Sequence, residues 1–157
     1  MEKLDRYDRA ILMTLQENGR ATNVELSARA NLSAPQCYRR VQRLETEGII
    51  RSYSANVEPA SVGFGVVAYI SISIDRGEFK HIRKFESVIR DFRQILECHT
   101  ITGDFDYMLK VVARDLKSLS SFLTDQLMQV PGVASVRSMV CLEEVKRAVG
   151  LPVDSED

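Results

Sequence analysis

Residues 22–48, TNVELSARANLSAPQCYRRVQRLETEG, hold two helix starts eleven residues apart. Thr22 is followed three residues on by Glu25, and Ser33 by Gln36. In that spacing each side chain satisfies the other residue's free backbone N–H at a helix N-terminus. Pro35 falls in the first turn of the second of these helices, where a missing N–H costs nothing. Val24, Leu26 and Ala30 are available for burial from the first helix, and Asn31-Leu32 makes a tight turn. Cys37, Val41 and Leu44 then recur at i, i+4 and i+7, a single apolar stripe. Glu47-Gly48 ends the run. Upstream, Asp5 can cap a helix carrying Ala10, Ile11, Leu12 and Leu15, which Asn18-Gly19 stops.

Three short helices with a tight turn between the last two form a helix-turn-helix pattern. Its third helix sets Gln36, Tyr38, Arg39, Arg40 and Arg43 away from the apolar stripe. Arginine pairs bidentately with phosphate or with the guanine O6/N7 edge, and glutamine with adenine N6/N7. Residues in the N-terminal turns of such a helix reach base edges. The expected DNA contacts are Ser33, Gln36, Tyr38, Arg39, Arg40, Arg43 and Arg51. Two plainer readings stand beside this one. The face can be a solvated one laced by pairs such as Arg43 with Glu47, and a helix-turn-helix can also dock protein. Arg40 can be partly structural, its long stem covering the edge of the domain.

Ile49 to Val57 reads as a strand pair or an extended linker. Pro59 to Gly65, with one Pro and two Gly, is the best boundary. Beyond it, Val66–Ile74 reads as a strand, Phe79–Phe92 as a helix, Ile95–Thr102 and Tyr107–Ala113 as a hairpin around Gly103-Asp104, the segment after Asp115 as one long helix through Val130, and Val133–Leu142 as a last strand. The β-α-β-β-α-β order is ferredoxin-like. The expected fold is therefore α+β. A winged helix-turn-helix of three helices plus a short β wing (1–58) is joined by a linker (59–65) to a ferredoxin-like βαββαβ domain (66–148), followed by a frayed acidic tail (149–157).

The 157 residues carry 21 Lys plus Arg against 22 Asp plus Glu, a formal net charge of -1. That balance excludes a polybasic tail, a long acidic solvating tail and a mostly disordered chain. It also hides a polarity, because Arg20 to Arg51 contains six Arg and three Glu, +3, and the remainder sums to -4. No apolar run approaches the roughly 18 to 20 residues of a membrane span, and the N-terminus lacks the apolar core of a secretion signal. A cytoplasmic protein is expected, with Cys37, Cys98 and Cys141 as thiols. His81, Cys98, His99 and Cys141 show no metal-ligand or nucleophile–base spacing, so no metal, cofactor or catalysis is expected.

With these elements in place, the residues resemble a known family. LDRYDRAILMTLQENGRATNVELSARANLSAPQCYRRVQRLETEGIIRSYSANVEP is similar to the N-terminal winged helix-turn-helix of the Lrp/AsnC (leucine-responsive, feast/famine) transcription regulators. ECHTITGDFDYMLKV resembles the family's E-C-H-x-x-x-G-D-x-D-Y signature, and VPGVASVRSMVCLEEVK its C-terminal ending. The likeness spans residues 4 to 147 and is nearest the Lrp branch. It implies a homodimer made by packing two C-terminal sheets together, four dimers assembling into an octamer around which nucleoid DNA can wrap, and transcription that responds to a small amino acid such as leucine or methionine. Ala34-Pro35-Gln36 and Tyr38-Arg39 depart from the best-known members, so operator sequence does not transfer.

An amino-acid effector needs acceptors for its ammonium and N–H donors for its carboxylate. Gly103 exposes backbone amides, and Asp104 or Asp106 can accept from the ammonium. The resemblance places the effector at this hairpin, between dimers, giving Gly103, Asp104, Asp106 and Tyr107, with Met128 and Val140 as pocket wall. Read without the resemblance, Gly103-Asp104 is a good hairpin turn. The competing functions are an architectural DNA-wrapping oligomer with little ligand response, an enzyme with a helical accessory domain, and a metabolite-binding module with a decayed helix-turn-helix.

Overall fold

The computed structural model describes residues 4–75, 79–147 and 150–153. The chain forms two compact units: one from the N-terminal residues to Asn56 together with Lys146 and beyond, the other from Val57 to Val145.

In the first unit α1 (Arg6–Glu17) starts at Asp5, whose Oδ1 accepts the amides of Tyr7 and Asp8 at 2.9 Å each. At the start of α2 (Asn23–Arg29), Glu25 Oε2 accepts the Thr22 amide at 2.6 Å. Asn31, with φ of 51°, turns the chain into α3 (Ala34–Thr46). Ile11, Leu12, Leu26, Ala30, Cys37 and Leu44 form the core. Removing a hydroxyl cap of this kind costs about 1 kcal/mol of helix stability.

A buried carboxylate ties α1 to α3. Asp8 is 1% exposed; its Oδ1 accepts from Arg40 Nη1 at 2.8 Å and its Oδ2 from Arg43 Nη2 at 2.7 Å. Arg40 Nη1 also lies 2.8 Å from Asp5 Oδ2. Burial disfavours the Asp5 carboxylate, but the Asp8 amide and Arg40 outweigh it and hold its pKa below the usual value. Tyr7 lies between two guanidinium groups, with Arg6 4.6 Å and Arg40 5.3 Å from its ring centre.

Two expectations for this unit change. Arg51 to Glu58 is exposed and has no strand partner among the described residues, so the short β wing does not form within the chain. Alternation without a second strand or an apolar seat does not make a sheet. The end of the chain is not wholly frayed. Gln16 Nε2 donates to the Leu151 carbonyl at 3.0 Å, and the Leu151 amide donates to Gln16 Oε1 at 2.5 Å. Val153 packs against the helical core, and a Cβ at Gly150 would lie 2.5 Å from Gln16. The apolar side chain and the bare glycine beside it let 150–153 dock where charge alone suggested fraying.

In the second unit, a turn at Pro59–Val62 leads into β1 (Val66–Ile74), α4 (Phe79–Ile89), β2 (Ile95–Thr100), β3 (Tyr107–Ala113), α5 (Leu116–Ser121) and β4 (Val133–Val140). The sheet order is β2-β3-β1-β4 and every pair is antiparallel. Ala68, Ile70 and Ile72 alternate inward with Leu109 and Val111 and meet Phe85, Leu119 and Phe122. The opposite face carries Tyr69, Ser71, Met108, Lys110, Arg137 and Met139, of which Tyr69 and Met139 are exposed.

The expected long final helix is broken. After α5 comes a π-turn, Phe122–Gln126, and then a 3-10 turn, Leu127–Gln129. Leu119, Leu123 and Leu127 keep the four-residue helical interval of the sequence, and with the π-turn in place Phe122 and Leu127 are both buried.

Asp8→Asn keeps the side-chain shape but leaves two half-buried guanidiniums short of counter-charge. It is expected to cost about 2–4 kcal/mol in the helical unit, measured by denaturation followed by circular dichroism. An unchanged midpoint would mean that solvent screens the cluster. The Asp5 contribution is present above the usual carboxylate pKa and is lost as pH falls through the depressed folded value, so acid should loosen this unit. Deleting residues 150–157 should lower the unit's stability by about 1–2 kcal/mol; a truncated chain as stable as the full one would show that the tail contact carries no free energy.

Candidate nucleic-acid interface and ligand hairpin

The outer face of α3 is sorted by its partners. Cys37 and Leu44 point into the core, and burial pushes the Cys37 thiol's pKa up. Arg40 and Arg43 turn sideways to Asp8. Pro35, Tyr38, Arg39 and Gln42 are exposed, a stripe at helical spacing opposite the core. The side chains of Arg39 and Gln42 have no hydrogen-bond or ion-pair partner among the described residues; the Gln42 carbonyl accepts the Thr46 hydroxyl at 2.7 Å. The Ser33 amide and hydroxyl both donate to Gln36 Oε1, at 3.3 and 2.9 Å. In this arrangement Gln36 has committed its carbonyl oxygen, so it does not offer adenine the two-point contact that its identity suggests. Arg51 is exposed beyond the helix. A concave surface of about 520 Å³ lies here, lined by Tyr7, Gln36, Arg39, Arg40 and Arg43.

The sequence reading grouped three arginines on this helix; the structure divides them. Arg40 and Arg43 are primarily anchors, and Arg39 is the outward cation. Arg43 reaches Asp8 on α1, an alternative to the local pair with Glu47. Glu45 receives the Tyr53 hydroxyl at 2.9 Å; burial and then this carboxylate push the Tyr53 pKa up to about 12. Gln42 and Asp8 were not singled out as site residues. Gln42 was visible in the 35-38-39-42 spacing, whereas Asp8 acts through residues 32 and 35 positions away.

At the hairpin, Gly103 has φ of 115°, a conformation that side-chain-bearing residues avoid. Asp104 is exposed beside it. Asp106 is a staple: its Oδ2 accepts the Ile74 amide at 2.8 Å and its own amide donates to the Ile72 carbonyl at 2.9 Å. Tyr107 departs from expectation. Strand alternation places it with Leu109 and Val111 in the core, where it packs 4.7 Å from Phe85 and donates to Glu86 Oε1 at 2.9 Å. Burial and the Glu86 carboxylate raise its pKa. Met128 is exposed in the turn leading to β4. Val140 pairs with Ala68, whereas the hairpin adjoins Ile72, so one chain does not bring Val140 to the hairpin. Arg137 does approach it, its guanidinium 5.1 Å from the Phe105 ring centre. Nothing in the local sequence around position 137 announced that contact, which comes from sheet register. Cys98 and His99 face opposite sides of β2, and His99 Nε2 lies 3.3 Å from Glu97 Oε2. The side chain of His81 falls outside the described residues.

Comparison with known proteins bears on both units. Residues 4–51 match a winged helix-turn-helix DNA-binding model, and residues 67–151 match the Lrp/AsnC ligand-binding domain. The chain is 40% identical over 145 residues to the leucine-responsive regulatory protein of Klebsiella pneumoniae, covering 92% of this chain and 88% of that one. The Escherichia coli K12 leucine-responsive regulatory protein is 39% identical over the same coverage. A Neisseria meningitidis transcriptional regulator solved as a complex with L-Met superposes with a TM-score of 0.92 at 39% identity, covering 97% of this chain and 98% of that one. An AsnC family regulator from Agrobacterium tumefaciens gives 0.88 at 30% identity, with 96% and 97% coverage. With a DNA-binding unit and a ligand-binding unit matched in order along nearly its whole length, the chain belongs to the Lrp/AsnC family of ligand-responsive transcription regulators.

Proposed function

We propose that the protein reads a specific operator through α3 and changes its DNA binding in response to a small amino acid held at the 101–106 hairpin. The observation that carries the DNA half is the exposed Pro35–Tyr38–Arg39–Gln42 stripe on a helix whose opposite face is core. Arg39 and Gln42 each have a full set of donors or acceptors to give to a base edge. Ser33 and Gln36 cap the helix at the end that enters the groove, and Arg51 supplies phosphate attraction. Arg40 and Arg43 hold the helix at a fixed angle on α1.

For the ligand half, the hairpin offers backbone amides at Gly103 for a carboxylate and Asp104 for an ammonium. Asp106 shapes the loop from behind. Arg137 adds a cation beside Phe105. Methionine and leucine are the favoured effectors, since the Neisseria relative was solved with L-Met and the curated relatives are named for their response to leucine. Met128 and Val140 serve as pocket wall if a neighbouring protomer supplies them. The uncovered sheet face, with Tyr69, Met108 and Met139, is the surface for a homodimer, and dimers gather into an octamer. The protein works in the cytoplasm, on the nucleoid.

Arg39→Ala and Gln42→Ala should each weaken binding to the operator by about tenfold or more, while Gln42→Ala leaves non-specific DNA affinity nearly unchanged. Fluorescence anisotropy on operator and scrambled duplexes at several salt concentrations measures both. Equal affinity for the two duplexes in the unmodified protein would favour an architectural wrapping role instead. Asp104→Ala should abolish the effect of L-methionine and L-leucine on DNA binding without lowering operator affinity in their absence. A fully responsive variant would move the effector site elsewhere.

A further inference from the structure

The second unit carries a recess that neither the hairpin nor the DNA-reading helix uses. It lies where β3 ends and α5 begins and has a volume of about 560 Å³. That end of the sheet is far from the hairpin. β3 runs seven residues from Tyr107 to Ala113, which at strand rise is about 20 Å. The recess has aromatic walls from Phe64 and Phe122 and cations from Arg114 and Lys117. Gln94, Ser121 and Gln126 add neutral hydrogen-bonding groups.

Two backbone features build it. Gly65 donates to the Arg114 carbonyl at 3.2 Å, and a Cβ at Gly65 would lie 2.9 Å from that oxygen. Only a bare glycine allows this approach, and it fixes Phe64 beside Arg114. On the other side, the π-turn sets Ser121 and Gln126, five residues apart, on one wall. Such turns recur at functional sites because the extra residue opens the helix surface.

The lining chemistry is one-sided. No carboxylate lines the recess. Asp115 is the neighbouring acid, and it spends Oδ1 on the Ser118 amide at 2.6 Å as the cap of α5. Its charge offsets part of Lys117's, and Arg114 has no ion-pair partner among the described residues. A free amino acid would bring an ammonium into a recess with two cations and no anion. An anion lacking that group meets only attraction, and an apolar body can lie against Phe64 and the exposed edge of Phe122.

We propose that this recess is a second ligand site, for a small organic anion, carboxylate or phosphate, with an apolar body and no ammonium group. Among carboxylates that means the 2-oxo acid counterparts of amino acids and not the amino acids themselves. The site is independent of the effector assignment at the hairpin.

Isothermal titration calorimetry on the full-length protein tests it with three probes: phenylpyruvate, phenyl phosphate and L-phenylalanine. The two anions should bind, and L-phenylalanine should bind at least about tenfold more weakly at this site. The Arg114→Gln/Lys117→Gln double variant changes exposed side chains, and its fold is checked by circular dichroism. It should lose about tenfold or more in anion affinity. Asp104→Ala should bind both anions as the unmodified protein does. No heat with either anion, unchanged affinity in the double variant, or loss in Asp104→Ala alone would overturn the site. So would a double variant that binds anions normally but DNA less well, since the two cations would then serve the DNA backbone. L-phenylalanine binding as tightly as phenylpyruvate, and lost in the double variant, would overturn the exclusion of ammonium.

Discussion

The DNA-reading half of the molecule hangs on one carboxylate. Asp8 is shut off from solvent and takes a guanidinium on each oxygen, so α3 cannot roll about its axis without breaking a charged contact. Apolar packing by Cys37 and Leu44 tolerates small rotations, because dispersion is nearly isotropic. Charge-assisted hydrogen bonds do not, because they are directional and costly to leave unmade. The apolar core therefore gives the helix its affinity for the unit, and Asp8 gives it an azimuth. That azimuth decides which residues face outward. Two arginines that a helical wheel would turn outward become fixings, and the outward face of α3 narrows to Pro35, Tyr38, Arg39 and Gln42.

The second unit shows the same division between packing and directed bonds. Its sheet buries one face under α4 and α5 and leaves a mixed polar and apolar face open, as an antiparallel sheet can. The hairpin at one end is held by Asp106 reaching across to Ile74 and Ile72. Asp106, one of the two expected acceptors, holds the loop, while Asp104 two residues before it is left exposed. A loop whose backbone is stapled and whose neighbouring side chain is free suits a binding site, because the geometry is paid in advance of the ligand.

What was legible in the sequence was local or periodic. Thr22–Glu25 and Ser33–Gln36 marked helix starts within a window of four residues. The alternation of Ala68, Ile70 and Ile72 fixed the inner face of β1. Tyr107 could have been placed by the same parity, since it is in step with Leu109 and Val111, but the motif around Gly103 drew it toward the ligand. Asp8, Arg137 and the β wing were not legible, for one reason. Each depends on a partner far away in the chain, and a residue type does not reveal whether such a partner exists. The π-turn was not legible, because Leu119, Leu123 and Leu127 keep the ordinary four-residue helical interval through it.

The docked tail has a consequence for how the chain is strung. The polypeptide leaves the helical unit at Asn56 and re-enters it at Lys146, so the sheet domain is an insertion within the DNA-binding unit. For Leu151 and Val153 to reach α1, the whole of Val57–Val145 must close as a loop. An unfolded loop of that length pays a closure entropy that a folded domain, with its two ends fixed, does not. The tail contact therefore forms at a smaller entropic cost when Val57–Val145 is folded than when it is not.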